Sequence, residues 1–268
     1  MESKYYIHNI NPLAIELGSF TLPWYWLVYF VGFIWTLYMV HKLNKDLQLG
    51  MSKNDIADYF QWAWPALFLG ARLFYILVYN FNFFLEHPHM IVKIWLGGMS
   101  FHGALLGITL SLFLTAKWKK QNFLSIADSI ATVAPLVLAF GRIGNFINGE
   151  LAGRAATIPW AIIFPRYQDR IPRHPSQLYQ SLLEGFLLFL ILWINKKNIK
   201  NKRGLQSSLF LMGYGIARFI VEFFREADAQ IGYYAFGITI GQILCFAMFV
   251  AGSILFYYSQ IKPAKSLK

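Results

Sequence analysis

Charge is scarce in this chain. Only 14% of the 268 residues are Asp, Glu, Lys or Arg, against roughly 25% in soluble domains, so a fully water-exposed surface is excluded. Acidic residues are scarcer still, 13 against 24 basic, for a formal net charge of +11. Such an excess could suit nucleic acid, but most of the lysines stand in short loops between apolar segments. That placement fits membrane topology and anionic lipid headgroups, and no nucleic-acid partner is expected. Cysteine is almost missing: Cys245 is alone, inside an apolar run. An intrachain disulfide and a Cys-x-x-Cys metal spacing are both ruled out, and Cys245 reads as packing, with no metal or cofactor expected. No internal repeat is evident, which argues against a transporter built from inverted halves.

What the chain has is apolar length. Hydrophobic residues make up 57% of it and the mean hydropathy is +0.44. Apolar stretches near 21–41, 57–80, 96–116, 124–147, 177–195, 206–225 and 235–259 each approach the roughly 20 residues that cross a bilayer core. The expectation is an all-α polytopic membrane protein with seven transmembrane helices in one integral membrane domain, 1–268. The first stretch is expected to be retained, since residues 1–20 are mixed in polarity and Lys42 and Lys45 follow as a stop-transfer flank. Alternate connections hold fourteen Lys and Arg, the opposite ones seven, so the N-terminus is placed outside and the C-terminus in the cytoplasm.

The 148–176 connection breaks that bias with Arg154, Arg166, Arg170 and Arg173, and it carries Pro159, Pro165, Pro172 and Pro175. It is expected to fold as a small outward cap between spans four and five. Its arginines either meet a lipid headgroup or pair with Glu150 and Asp169. Pro175 suits the first turn of the fifth span.

Polar side chains inside apolar stretches are costly and point to use. Arg142 and Asn145 are neighbours at the end of the fourth stretch, where Gly141, Gly144 and Gly149 permit close approach of a ligand or of another helix. Tyr214, Arg218, Glu222 and Arg225, spaced four, four and three, share one helical face. Arg218 and Glu222 either neutralise each other or, with Arg142, leave excess positive charge for an anion, which guanidinium binds bidentately. His102, in Gly97-Gly98-Met99-Ser100-Phe101-His102-Gly103, is a proton acceptor or an interhelical hydrogen-bonding residue. Ser100 lies too close to His102 on one helix to serve with it as in a rhomboid-type protease. Asp128, placed either to cap its own span or to face the cytoplasmic boundary, and Arg72 read as structural. Glu184 ranks below Glu222, and His8, His41, His87 and His89 lie in tails or loops without visible partners.

Four motifs, Gly-Arg-Ile-Gly-Asn-Phe-Ile-Asn-Gly-Glu at 141–150, Gly-Gly-Met-Ser-Phe-His-Gly at 97–103, His-Pro-Ser-Gln-Leu-Tyr at 174–179 and Tyr-Gly-x-x-Arg-Phe-x-x-Glu-x-x-Arg at 214–225, resemble the prolipoprotein diacylglyceryl transferase family of bacteria. The resemblance runs from about 22 to 250 in consistent order. It implies a bacterial inner-membrane enzyme, its cap periplasmic, that moves the diacylglyceryl group of phosphatidylglycerol to the cysteine thiol of a prolipoprotein signal-peptide lipobox and releases glycerol 1-phosphate. It also implies that His102, Arg142, Asn145, Glu150, Gly153, Tyr214, Arg218 and Glu222 serve activity, and that Tyr25 matches an aromatic near the site. With Asn148 and Arg225 beside them, these form the expected site, His102, Arg142 and Arg218 being catalytic and the others substrate-binding. Two departures stand out: the segment from Arg154 to Arg173 looks shorter than in enterobacterial relatives, and Trp26 stands where many have Gly.

The residue chemistry suits that reading. A thiol of pKa near 8.5 needs a base or a positive field to attack, which His102, Arg142 and Arg218 could supply. Guanidinium groups would also stabilise the departing phosphate, with Asn145 and Tyr214 as orienting donors and Glu222 or Glu150 fixing an arginine. An organic-anion channel or carrier is the alternative, and a structural scaffold a third reading.

Overall fold

The computed structural model describes residues 4–18, 20–94, 97–226 and 237–261, and the side chains of Phe20 and Tyr25 lie outside that description. Helix α1, Trp24–Leu47, starts directly after Pro23. Helix α2, Lys53–Phe74, opens on a reciprocal capping box between Ser52 and Asp55 and runs on through a π-helical turn, Tyr75–Tyr79. A short α3, Phe81–Glu86, precedes α4, Phe101–Trp118, and α5, Phe123–Ile147. Helix α6, Ser176–Gln180, passes through a π-helical stretch, Ser181–Leu187, into α7, Leu188–Ile194. Helices α8, Leu205–Glu222, and α9, Ile240–Ile261, complete the bundle.

Six segments among the described residues are long and apolar enough to cross a membrane: Trp26–Leu47, Lys53–Tyr79, Phe101–Trp118, Phe123–Ile147, Ser176–Ile194 and Ile240–Ile261. The fold is predominantly an all-α polytopic membrane fold. The stretch expected near 206–225 forms α8, but Gln206, Arg218 and Glu222 lower its hydropathy, so it does not join those six. Burial is inverted relative to a soluble protein. Leu69, Leu77, Trp26 and Phe30 are exposed, whereas Asp128, Thr132, Gln177, Glu184, Gln206 and Glu222 are buried. In lipid an apolar exterior costs nothing, and internal polar groups give the interior its specificity.

Backbones approach most closely where α2 meets α4. A methyl group on Gly70, Gly103 or Gly107 would run into backbone of the facing helix, the usual reason for small residues at a membrane helix seam. Arg72 fixes the loop before α4: its guanidinium donates to the carbonyl oxygens of Ile91 (3.0 Å), Gly97 (2.7 Å), Gly98 (3.0 Å) and Met90 (2.6 Å). That is the structural role the sequence suggested for it.

The lysine-rich connections gather at one end of the bundle, where Lys119 pairs with Asp55 at 3.0 Å and Asp58 at 2.5 Å and Tyr59 donates to Gln121. Asp128 was expected either to cap its own helix or to face the cytoplasmic boundary. Instead it accepts from the backbone N–H of Gly204 (2.6 Å) and Ser207 (2.9 Å) and from the Ser207 hydroxyl (2.7 Å), so it caps α8 from α5.

At the opposite end the chain from 149 to 175 folds over the bundle, but not alone. Strand β1, Tyr6–Ile7, pairs parallel with β4, Ile162–Ile163, and β4 pairs antiparallel with β5, Pro172–Arg173. A hairpin of β2, Leu13–Leu17, and β3, Phe20–Pro23, links this sheet to α1. His8, expected to be a partnerless tail residue, is buried between Phe146 and Phe164 with ring centroids 5.3 Å from each. Desolvation there lowers its pKa below 6.5. Outside that sheet, His41 and His87 each contact a backbone carbonyl one turn back, those of Leu37 and Phe83.

Candidate active site

The ends of α5 and α8 and the starts of α4 and α6 meet next to the 149–175 segment, and charged side chains converge there. Arg218 Nη2 lies 3.1 Å from Glu222 Oε2, and Arg225 Nη1 lies 3.2 Å from the same oxygen. The Thr239 hydroxyl donates to Glu222 Oε1 at 3.2 Å. Glu222 is therefore held on both oxygens. Arg218 reaches the other way as well, Nη1 standing 3.6 Å from Glu184 Oε1, while Arg142 Nη2 stands 3.8 Å from Glu184 Oε2. The order Arg142, Glu184, Arg218, Glu222, Arg225 is a line of alternating charge drawn from three chain segments.

Sequence spacing located four members of that line but not Glu184, which was ranked below Glu222 and given no partner. Its only signal was an acid alone in an apolar run, and helical periodicity relates residues within one helix, never across two. Two contacts set its position: Ser181 donates to the Ala139 carbonyl at 3.0 Å, and Gly185 presses against Ala139, where a side chain would collide. Glu184 thus sits on the π-helical stretch facing the turn of α5 that carries Arg142. Such π-helical turns recur at functional sites.

Around this line, Tyr214 is buried and stacks on Phe101 with ring centroids 4.4 Å apart. His102 follows Phe101, its ring centroid 5.6 Å from that of Phe101, and has a buried Nε2 without a hydrogen-bond partner. Arg218 Nη1 is likewise buried and makes no hydrogen bond. Buried polar atoms without partners are few in folded proteins, and both oxygens of Glu184 add to these two.

A second polar cluster closes the end of α5. Asn145 donates to Glu150 Oε1 at 2.8 Å and Asn148 to the same oxygen at 3.4 Å. Gln177 donates to the Glu150 carbonyl, and Arg166 lies 3.9 Å from Glu150 Oε2. Asn145 lies three residues from Arg142, which ties the two clusters together.

Gly153 sits elsewhere, joining the cap to the end of α8. Its N–H donates to the His174 carbonyl at 2.8 Å and its backbone pairs with Arg225, while Arg154 Nε donates to the Arg225 carbonyl. A methyl group at Gly153 would strike the Phe224 carbonyl and His174, which explains glycine by close approach. Of the cap arginines, Arg173 bonds Asp169 at 2.6 Å and Glu226 at 2.8 Å, and the hydrogen bond from Arg173 keeps the Asp169 carboxyl below its usual range. Tyr25 is the second residue of α1, and its side chain lies outside the described residues. One turn on, Tyr29 packs on Gly141.

A family model described as prolipoprotein diacylglyceryl transferase matches residues 12–258. The chain is similar to proteins named phosphatidylglycerol–prolipoprotein diacylglyceryl transferase from Pasteurella multocida (44% identity over 259 residues, 95% of this chain and 94% of the relative) and Legionella pneumophila strain Corby (43% over 250 residues, 93% and 97%). A third so named, from Idiomarina loihiensis, is 45% identical over 248 residues, 92% of each chain. By that family match and near full-length likeness to these relatives, the chain belongs to the prolipoprotein diacylglyceryl transferase family.

Proposed function

We propose that this protein transfers the diacylglyceryl group of phosphatidylglycerol to the lipobox cysteine of prolipoproteins, releasing glycerol 1-phosphate. The observation that carries the reading is the buried Arg218 Nη1, which has no hydrogen-bond partner and lies across Glu184 from Arg142. Two guanidinium forks from separate helices can then hold one phosphodiester.

In the reaction the lipobox thiol gives its proton to His102 Nε2 and the sulfur attacks the terminal glycerol carbon of the diacylglyceryl moiety. The S–C bond forms as the C–O bond to phosphate breaks, and the bond pair leaves with the phosphate oxygen. Arg142 and Arg218 stabilise that leaving charge, a contribution of about 3–4 kcal/mol for one preorganised donor in a water-poor site. Tyr214 and Asn145 orient the headgroup, Glu222 holds Arg218 and Arg225, and Glu150 holds Asn145 and Asn148. Gly153 acts by docking the 149–175 segment on the end of α8, and Tyr25 is assigned to substrate binding.

The chain is one integral membrane domain of the bacterial inner membrane with seven spans, α8 being the one whose charged stripe turns inward. Its N-terminus and the 148–176 cap are periplasmic and its C-terminus is cytoplasmic. Collection of the lysine-rich connections at one end supports that orientation. Purified protein in phosphatidylglycerol vesicles should add one diacylglyceryl mass to a lipobox peptide with stoichiometric glycerol 1-phosphate. Lipid binding without peptide mass gain would sink the transferase reading and favour an anion carrier.

A further inference from the structure

Glu222 and Glu184 are both buried acids beside Arg218, yet their bonding differs. Every Glu222 oxygen has a partner within hydrogen-bonding distance. Glu184 is 1% exposed, its two oxygens accept no hydrogen bond, and its cations stand off at 3.6 and 3.8 Å. A carboxylate so placed supplies charge without occupying the donors. The three guanidinium groups of Arg142, Arg218 and Arg225 and the two carboxylates leave one net positive charge.

We infer that Glu184 is a positioning residue that sets the site charge to match a phosphodiester and to expel a phosphomonoester. The inference rests on the transferase reading above. A phosphodiester carries one negative charge, so the loaded site is neutral. Glycerol 1-phosphate, with a second pKa of about 6, is mainly a dianion at neutral pH. Once the thiol proton has left the site, the product overfills it by one negative charge, which a low-dielectric interior penalises. Substrate capture and product release are then tuned by one buried acid. Without Glu184 the site would carry two positive charges and fit the product instead.

The test is kinetic, on the full-length protein in phosphatidylglycerol vesicles with a lipobox peptide. Glu184→Gln should lower kcat about tenfold or more, leave KM for phosphatidylglycerol unchanged or lower, and tighten inhibition by glycerol 1-phosphate about tenfold. Should the variant fail to fold, the wild type carries the test. Its inhibition by glycerol 1-phosphate should weaken as pH rises through about 6. Inhibition by glycerophosphoglycerol, a diester of fixed charge, reports any change in the groups facing that point: His102, Arg142, Glu184, Tyr214, Arg218, Glu222, Arg225 and Cys245. Unchanged product inhibition in Glu184→Gln, a rise in its KM, or identical pH profiles for the two inhibitors would each overturn the inference. An inactive wild type would instead remove the transferase reading, and the inhibitor comparison as a binding measurement would still decide the charge match.

Discussion

Two buried arginines in this protein are handled in opposite ways. Arg72 donates to four backbone carbonyls and rests over the Phe84 ring at 5.0 Å. Arg218 is bonded on one side by Glu222, while its other terminal nitrogen is buried without a hydrogen bond. The first arginine is fully used by the fold and holds the loop that leads to His102. The second is held in place and still keeps donor capacity. A buried donor without a partner costs about 1–3 kcal/mol, a cost that an anionic ligand beside Arg218 Nη1 would relieve.

The strongest way to break the comparison is to keep the charge and remove the fork. Arg142→Lys and Arg218→Lys should each lower kcat about 100-fold or more with thermal stability nearly unchanged; near-normal turnover in both would defeat the bidentate role. Arg72→Gln should do the reverse. We expect a loss of about 3 kcal/mol of stability, read by denaturation in detergent, and a specific activity per folded molecule within a few-fold of wild type. Equal stability would show that the four carbonyl bonds carry nothing.

Asp128→Asn tests a purely structural acid at the lysine-rich end. Losing the charged cap of α8 should cost about 1 kcal/mol and leave KM unmoved, so a raised KM would tie that end to the site. The smallest effect concerns His8. Because burial lowers its folded pKa beneath the ordinary value of about 6.5, the unfolded chain binds more protons. Docking of β1 is intact above that value and weakens as pH falls through it toward the lower folded pKa. The protection factor for hydrogen exchange at the His8 amide, which donates to the Ile163 carbonyl, should fall below about pH 6.5 once the intrinsic pH dependence of exchange is divided out, and His8→Phe should remove the dependence.

Much of the site was legible in the chain. A four-four-three stripe on an apolar helix specifies that Tyr214, Arg218, Glu222 and Arg225 share a face, because helical geometry is local. The Arg142–Asn145 pair is readable for the same reason. Glu184 was not, since its role depends on Ser181 and Gly185 fitting against Ala139 of α5. Nor was the strand from Tyr6–Ile7, where two residues are too few to show alternation, or His8, whose burial comes from Phe146 and Phe164 on distant segments.

By itself, then, the sequence determined a polytopic helical membrane fold with arginines on two apolar helices, because run length and helical period are properties of contiguous residues. Tertiary structure alone decided that Arg142 and Arg218 face one shared acid, that Asp128 caps a helix other than its own, and that Tyr6–Ile7 pairs with Ile162–Ile163. Those outcomes depend on packing between segments far apart in the chain, and no spacing along one helix encodes the distance to another.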